Sequence, residues 1–209
     1  TYILSPVLSL QAGITSRLDT LLVIDGQTVW SQGQSSTEFG DLTWQAGFKV
    51  LSETPSLPAL KLYFVMTFPT GNYQNLNPTK LGTDASGSGL YIPGASLALS
   101  KVVLFDTSHP LNFRLNIQFD FPLTGHVSGY NSYGGGVGTS GDISISYVPQ
   151  VDFGFDACVA KHWVVMADLL YVYSSKASFQ GNRGVTAQGA PAVVGKPSSD
   201  QWLLLPGFQ

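Results

Sequence analysis

The sequence predicts an all-β protein: an antiparallel up-and-down β-barrel that crosses a membrane, with about nine strands visible. Three observations predict this fold class. Apolar and polar residues alternate with a period of two in nine segments, which no helix period explains. Charged residues make up 11% of the chain and hydrophobic residues 44%, which leaves too few charges to cover a conventional water-facing surface. The connections between segments alternate between short and long, as in transmembrane barrels.

The alternation is clearest in residues 111–123, where Leu, Phe and Ile share one face and Asn, Arg, Gln and Asp share the other. A tilted strand of roughly 9 to 11 residues crosses the hydrocarbon of a membrane, so these segments are long enough to span it. The nine segments, in chain order, are residues 2–13, 19–30, 42–50, 60–68, 91–105, 111–123, 142–160, 163–174 and 201–209. Gly26 and Gly94 are expected to ease bends in two of them.

The connections sort by length onto two rims, as the turns and loops of an up-and-down barrel do. Short turns are predicted at residues 15–18, 53–59, 106–110 and 161–162. A moderate loop at 33–40 and long loops at 71–89, 125–141 and 180–200 would lie on the opposite rim. Within the second long loop, the glycine-rich run 133–138 lacks the residues of a phosphate loop, so we expect it to be flexible and exposed.

Aromatic side chains fall near both rims, which is typical of the interfacial girdles of membrane barrels. Those near the long-loop end are Trp30, Trp44, Phe68, Tyr91, Phe121, Tyr171, Tyr173 and Trp202. Those near the short-turn end are Phe105, Phe113 and Trp163. Residues 1–209 are predicted to form a single barrel domain. Because such barrels usually have an even number of strands, we expect ten to twelve in total, with strands missing at the N-terminus and at the C-terminus.

Several short stretches carry a family resemblance: Asp-Leu-Thr-Trp-Gln-Ala-Gly-Phe-Lys at 41–49, Phe-Pro-Thr-Gly-Asn-Tyr at 68–73, Leu-Gly-Thr at 81–83, and residues 91–100. Together they resemble the outer-membrane family called "MetA-pathway of phenol degradation", whose members are proposed to transport aromatic compounds. The resemblance implies a barrel of about twelve strands in the cell outer membrane, in contact with its lipid. It also implies passive uptake or export of small solutes, hydrophobic or aromatic ones among them.

If the apolar faces look outward, charges of both signs are left for the inner wall. Buried charges persist only when they are paired or hydrated, so these residues either line a wet path that selects solutes or pair into a structural plug. Arg114 and Asp120 are the first choices as lining residues. Lys101 continues an apolar face, and either a snorkelling side chain or a β-bulge would accommodate it. The predicted lumen-lining residues are Asp25, Lys49, Lys61, Arg114, Asp120, Asp152, Asp156 and Asp168.

Other classes of function find little support in the sequence. His109, His126 and His162 fall in turns or a loop, with no evident nucleophilic serine beside them, so we expect no enzyme. The histidines are far apart and Cys158 is the single cysteine, so we expect no metal and no cofactor. The net charge of −3 and the scattered lysines and arginines argue against a nucleic-acid partner.

The sequence therefore predicts an outer-membrane channel that passes small solutes by diffusion. The alternative is a barrel that does not conduct and that serves as a structural or surface-binding protein through its loops. A soluble β-protein, which would bury the apolar faces between two sheets, is the competing fold. The oligomeric state and the solute are left open.

Overall fold

The computed structural model describes residues 1–104, 109–160 and 162–208, and it is all-β, with 66% strand. Phe105 and parts of two predicted short turns, 106–110 and 161–162, lie outside the described residues. One short 3-10 helix spans Pro78–Lys80. The strands are β1 Tyr2–Leu4, β2 Val7–Gly13, β3 Leu18–Ser31, β4 Gln34–Leu51, β5 Ala59–Phe68, β6 Ile92–Val103, β7 Leu111–Asp120, β8 Gly125–Ser128, β9 Ser140–Ile145, β10 Val148–Ala160, β11 Trp163–Ser174, β12 Ala177–Asn182 and β13 Ser199–Phe208.

Ten of these strands form one antiparallel sheet, which curls strongly into a half-barrel. Its order is β1, β3, β4, β5, β6, β7, β10, β11, β13, and β2 continues β1 along the same side of β3. Each strand of this sheet pairs with the sheet strand that comes before it in the sequence, except that β1 and β2 both pair with β3. This order confirms the predicted antiparallel up-and-down arrangement and its nine strand positions. The half-barrel has two unpaired edges within the described residues, one at β1 and β2 and one at β13.

The register shows how period-two alternation gives the sheet two different faces. One transverse row joins Leu97, Ile117 and Val151 across β6, β7 and β10, and the next row joins Ala98, Asn116 and Asp152. The first row belongs to the convex face and the second to the concave face. A one-residue slip would exchange the two faces completely, so the hydrophobic pattern itself fixes the register.

The connections also follow the predicted sorting onto two rims. The short turns lie on one rim, and the segments 69–91, 121–147 and 175–198 lie on the other. These three long segments are folded together. They contain the 3-10 helix and a second antiparallel sheet of β12, β9 and β8, and we call them the cap. Their apolar side chains form a core of their own around Leu90, Val127, Tyr133, Ile143 and Ala177.

Two sequence-based predictions about the long-loop rim are wrong. Segment 142–160 is two strands, because β9 joins the cap sheet and β10 joins the wall. Residues 34–40 form the first part of β4, and a tight turn with positive φ at Gln32 and Gly33 replaces the predicted loop. The glycine-rich run 133–138 is a loop, as predicted; Tyr133 at its start is 6% exposed and belongs to the cap core, whereas Val137 is 66% exposed.

The long hairpin of β3 and β4 bends at two neighbouring points. The register between β3 and β4 shifts between Ile24 and Gly26, where a β-bulge gives β4 one extra residue. Next to it, Pro6 separates β1 from β2, and its carbonyl accepts a hydrogen bond of 2.8 Å from the Gly26 amide. The expectation that Gly26 marks a bend is therefore confirmed.

Candidate functional site

The concave face of the half-barrel carries the predicted charged residues. Lys49, Lys61, Arg114 and Asp152 line one concavity of about 400 Å³, together with polar side chains such as Gln45, Ser96, Asn116 and Gln118. Asp120, Asp156 and Asp168 lie on the same face of β7, β10 and β11 by their register. Asp25 is on the same side of β3 but is exposed beside the bulge. The structure thus brings seven of the eight residues into one wall, and Asp25 stands apart near the long-loop rim.

Arg114 is the centre of the largest charge cluster. Its Nη2 lies 2.8 Å from Oδ1 of Asp156 and 3.0 Å from Oδ1 of Asp168. The second oxygen of Asp156 accepts a hydrogen bond of 3.0 Å from Asn112. Arg114 Nε and Asp152 Oδ1 are buried without a hydrogen-bond partner among the described residues. Two carboxylates therefore share one guanidinium, and the cluster has an excess of negative charge.

Gly154 makes this cluster possible. It lies in register between Arg114 on β7 and Asp168 on β11, so both side chains must reach across it to meet. A Cβ at position 154 would collide with Oδ1 of Asp168 and would lie 3.1 Å from Nη2 of Arg114. The missing side chain thus lets the ion pair lie flat against the sheet rather than project into the concavity.

The same arrangement recurs around Lys61. Gly47 separates Asp19 from Tyr63 in the register, and Lys61 forms an ion pair with Asp19 over the vacated space. The ammonium also lies 4.7 Å from the centre of the Tyr63 ring, close enough for a cation–π contact. A Cβ at Gly47 would come within 2.6 Å of Lys61 Cε and 2.5 Å of Asp19 Oδ1. Here too the charged pair is held against the wall.

Asp120 has amide partners in place of a cation. Gln118 Nε2 donates to both of its carboxylate oxygens at 3.0 and 2.9 Å, and Gln150 Nε2 donates to Oδ2 at 2.8 Å. The residue is 7% exposed. Asp120 is therefore a buried and hydrogen-bonded part of the wall near the cap, so the structure does not support its selection as a principal lining residue.

Lys101 lies on the convex face, as the alternation requires, and its side chain extends to the short-turn rim. Its Nζ donates to the carbonyls of Thr54 and Pro55 at 2.6 and 3.1 Å and lies 3.6 Å from Glu53. No register shift separates β6 from β7 at this point. Of the two accommodations considered from the sequence, the snorkelling side chain is the one observed.

Part of the cap lies over the concave side of the β3–β4 hairpin, where Asp41 binds it. The Asp41 carboxylate accepts hydrogen bonds from the Gly71 amide at 3.0 Å and from the amide and hydroxyl of Ser88, both at 2.7 Å. Gln27 donates to the Ala85 carbonyl at 2.5 Å. Segment 69–91 therefore folds inward. Nothing in the sequence around Asp41 predicts this role, because its partners Gly71 and Ser88 are 30 and 47 residues away along the chain.

The cap also brings His126 next to a serine, contrary to the sequence-based expectation. His126 Nδ1 lies 3.0 Å from Asp142 Oδ1, and its Nε2 lies 3.3 Å from Ser140 Oγ. The side chains of His126 and Asp142 are 59% and 60% exposed. Activation of a serine depends on a desolvated, preorganised environment, which this open surface does not supply. We interpret the three residues as a surface hydrogen-bond network of the cap.

Comparison with known proteins adds no relative: a scan against models of protein families and a search of curated proteins both find no match. The resemblance to the phenol-degradation family stays a prediction from the sequence. Within residues 1–104, 109–160 and 162–208, no helix is long and apolar enough to cross a membrane.

Proposed function

We propose that this chain forms the wall of an outer-membrane β-barrel that lets small solutes pass by diffusion. The observation that carries the proposal is the division of one curled sheet into an exposed apolar convex face and a charged concave face. A wall of this kind suits a barrel with lipid outside and water inside.

The exposed apolar side chains of the convex face support contact with lipid. Phe48, Phe64, Phe119 and Phe153 lie on four different strands, and each is between 46% and 48% exposed. They belong to a continuous apolar surface that runs across the strands, whereas soluble monomers rarely expose apolar patches beyond a few hundred Å². The charged residues on this face in the described strands are Lys101 and Asp200, both near strand ends. A charge near the middle of a bilayer costs about 2 to 4 kcal/mol, so their positions near the rims fit the proposal.

The open concavity of the concave face supports a passage for solutes. Its ion pairs lie flat over glycines instead of projecting inward, which leaves the concavity of about 400 Å³ open between β4 and β10. Towards β11 and β13 the same face becomes apolar, with Leu170, Leu203 and Leu205. A wall with one polar and one apolar side suits small amphipathic solutes, aromatic ones among them.

The alternative is a barrel that does not conduct and binds partners at the surface. The inward-folded segment 69–91 and the compact cap favour it, because they cover part of the long-loop rim. The paired charges around Arg114 also fit a structural role. The two functions differ in one measurable property, which is whether ions and solutes cross a membrane that contains the protein.

Single-channel conductance of the full-length protein in planar bilayers tests the proposal. We expect discrete conductance steps, a shift of the reversal potential toward cation selectivity in Arg114→Ala, and a reduced current when aromatic acids are added. Lys176→Gln is the control, because this exposed lysine lies in the cap, away from the concavity. A folded barrel that gives no steps would refute the channel and favour the surface-binding alternative.

A further inference from the structure

Four charged side chains line the concavity of the half-barrel, and two of them lack an ionic partner. Lys61 is paired with Asp19, and Arg114 is paired with two carboxylates. Lys49 and Asp152 form no ion pair within the described residues, although both line the same space. Lys49 has no side-chain hydrogen bond there either, and one oxygen of Asp152 is buried without a partner. Groups of this kind are stabilised when a ligand or water supplies the missing partner.

The register places these two residues in one transverse row. Lys49 pairs with Lys61 on β5, and the row continues through Ala98 and Asn116 to Asp152 on β10. Four strand spacings of about 4.8 Å give at most about 19 Å between the two backbones, and the curl of the sheet brings them closer. Ala98, in the middle of the row, contributes only a methyl group. The row is therefore cationic at one end, where Lys49 lies beside Lys61, and anionic at the other, where Asn116 lies beside Asp152.

We propose that this row is a binding station for small zwitterions, which carry a carboxylate and an ammonium group on one molecule. The carboxylate of the solute would face Lys49 and its ammonium group would face Asp152. A simple anion would be attracted by Lys49 but repelled by the carboxylate of Asp152. A simple cation would be attracted by Asp152 but repelled by Lys49. Charges of opposite sign at the two ends of one row favour the solute that matches both.

This inference rests on the proposed channel function, because solutes must enter the concavity to reach the row. The test compares glycine with its uncharged isomer glycolamide, which has the same atoms and nearly the same size. Swelling of vesicles that contain the full-length protein gives the ratio of the two entry rates. We expect glycine to enter faster in wild type. The preference should fall in Lys49→Gln and in Asp152→Asn by up to about fivefold for each charge, the upper range for an exposed pair.

The exchange variant, Lys49→Asp with Asp152→Lys, separates recognition from a general effect of charge. It restores charges of opposite sign at the two ends of the row, so we expect it to recover the glycine preference that each single variant loses. Lys176→Gln is the matched control for loss of a lysine and should leave the ratio unchanged. Retained resistance of the barrel to unfolding in detergent checks that each variant is folded.

The possible failures can be told apart. An equal ratio in wild type and in both single variants, with swelling in both solutes, would overturn the binding station and leave the channel intact. An exchange variant that behaves like the neutral variants would also overturn it. Absence of swelling in either solute, from a folded wild-type protein, would overturn the channel and the station together.

Discussion

The substitution Gly154→Ala tests whether the concave wall is built around side chains that cross glycines. The new methyl group would overlap Oδ1 of Asp168 and would approach Nη2 of Arg114 to 3.1 Å. Asp168 must then move away from Arg114, although the two atoms are 3.0 Å apart in the native protein. Because the Arg114 side chain is 40% exposed, the lost ion pair is worth about 1 kcal/mol or less.

Two further contributions set the expected magnitude. Crowding a packed site costs about 1 to 3 kcal/mol, and replacing glycine by alanine inside a strand returns about 0.5 to 1 kcal/mol. We therefore expect Gly154→Ala to lower the free energy of unfolding by about 1 to 2 kcal/mol, the balance of these contributions. Gly13→Ala in β2 is the matched control, because a Cβ at Gly13 meets no atom within 4 Å. That variant should be neutral or slightly stabilising.

The assay is urea unfolding of the protein in lipid vesicles, followed by tryptophan fluorescence. A double-mutant cycle with Asp168→Ala isolates the cause, since the added methyl group should do no harm once the carboxylate is gone. If Gly154→Ala proves as stable as Gly13→Ala, or if Asp168→Ala fails to relieve its effect, the reasoning about the glycines is wrong.

Three more predictions follow from the cap and the convex face. Asp41→Ala removes three accepted hydrogen bonds, so amide exchange in residues 69–91 should become faster; unchanged exchange would show that the clamp is dispensable. Arginine at the convex position Phe153 should cost about 2 to 4 kcal/mol of stability in lipid, and arginine at Asn116 on the concave face should cost much less; equal costs would contradict a lipid-facing surface. Burial, followed by the negative charge of Asp41, raises the pKa of the Tyr133 phenol. The folded state therefore retains the phenol proton more strongly than the unfolded chain does. The protonated phenol contributes its full stability below the ordinary phenol pKa of about 10, and this stability is lost as the pH rises above that value. Alkaline titration followed by near-ultraviolet circular dichroism should therefore show loss of cap structure in wild type and a smaller pH dependence in Tyr133→Phe, and identical curves would refute this.

The wall could be predicted from the sequence because one rule governs it. In β7, every second residue from Leu111 to Phe119 is apolar, and the residues between them are polar. Burial or lipid contact on one face requires this alternation regardless of which strand lies alongside. For the same reason the assignment of Arg114, Asp152, Asp156 and Asp168 to one face needed no knowledge of their partners.

The ion-pair partners depend on the register between strands. Alternation alone does not determine this register, because a shift by two residues leaves the same side chains on the same face. That Asp156 and Asp168 both reach Arg114 follows from the pairing of β7, β10 and β11. The role of Gly154 appears only when its neighbours in the register, Arg114 on β7 and Asp168 on β11, are known. Asp120 is predicted to line the lumen because of its charge, whereas it is buried and accepts hydrogen bonds from Gln118 on its own strand and from Gln150 on β10.

The cap was missed for a different physical reason. Strands β8, β9 and β12 contain only four to six residues each, and β12 comes from a different long connection than β8 and β9. Such short stretches carry little periodic signal, and their abundant Gly, Ser and Asn residues favour loops. Long-range packing of Val127, Ile143 and Ala177 stabilises this small sheet, and no local pattern reveals which loops will meet.

The most direct test of the account is a cysteine scan along β7 in a Cys158→Ser background, with the protein in lipid vesicles. Each single cysteine from Leu111 to Phe119 is labelled with a nitroxide, and its accessibility to oxygen and to a water-soluble nickel complex is measured. We predict strict alternation, with odd-numbered positions accessible to oxygen from the lipid and even-numbered positions accessible to the nickel complex. Equal access of the water-soluble reagent to both sets of positions would contradict the claim that this wall separates lipid from water.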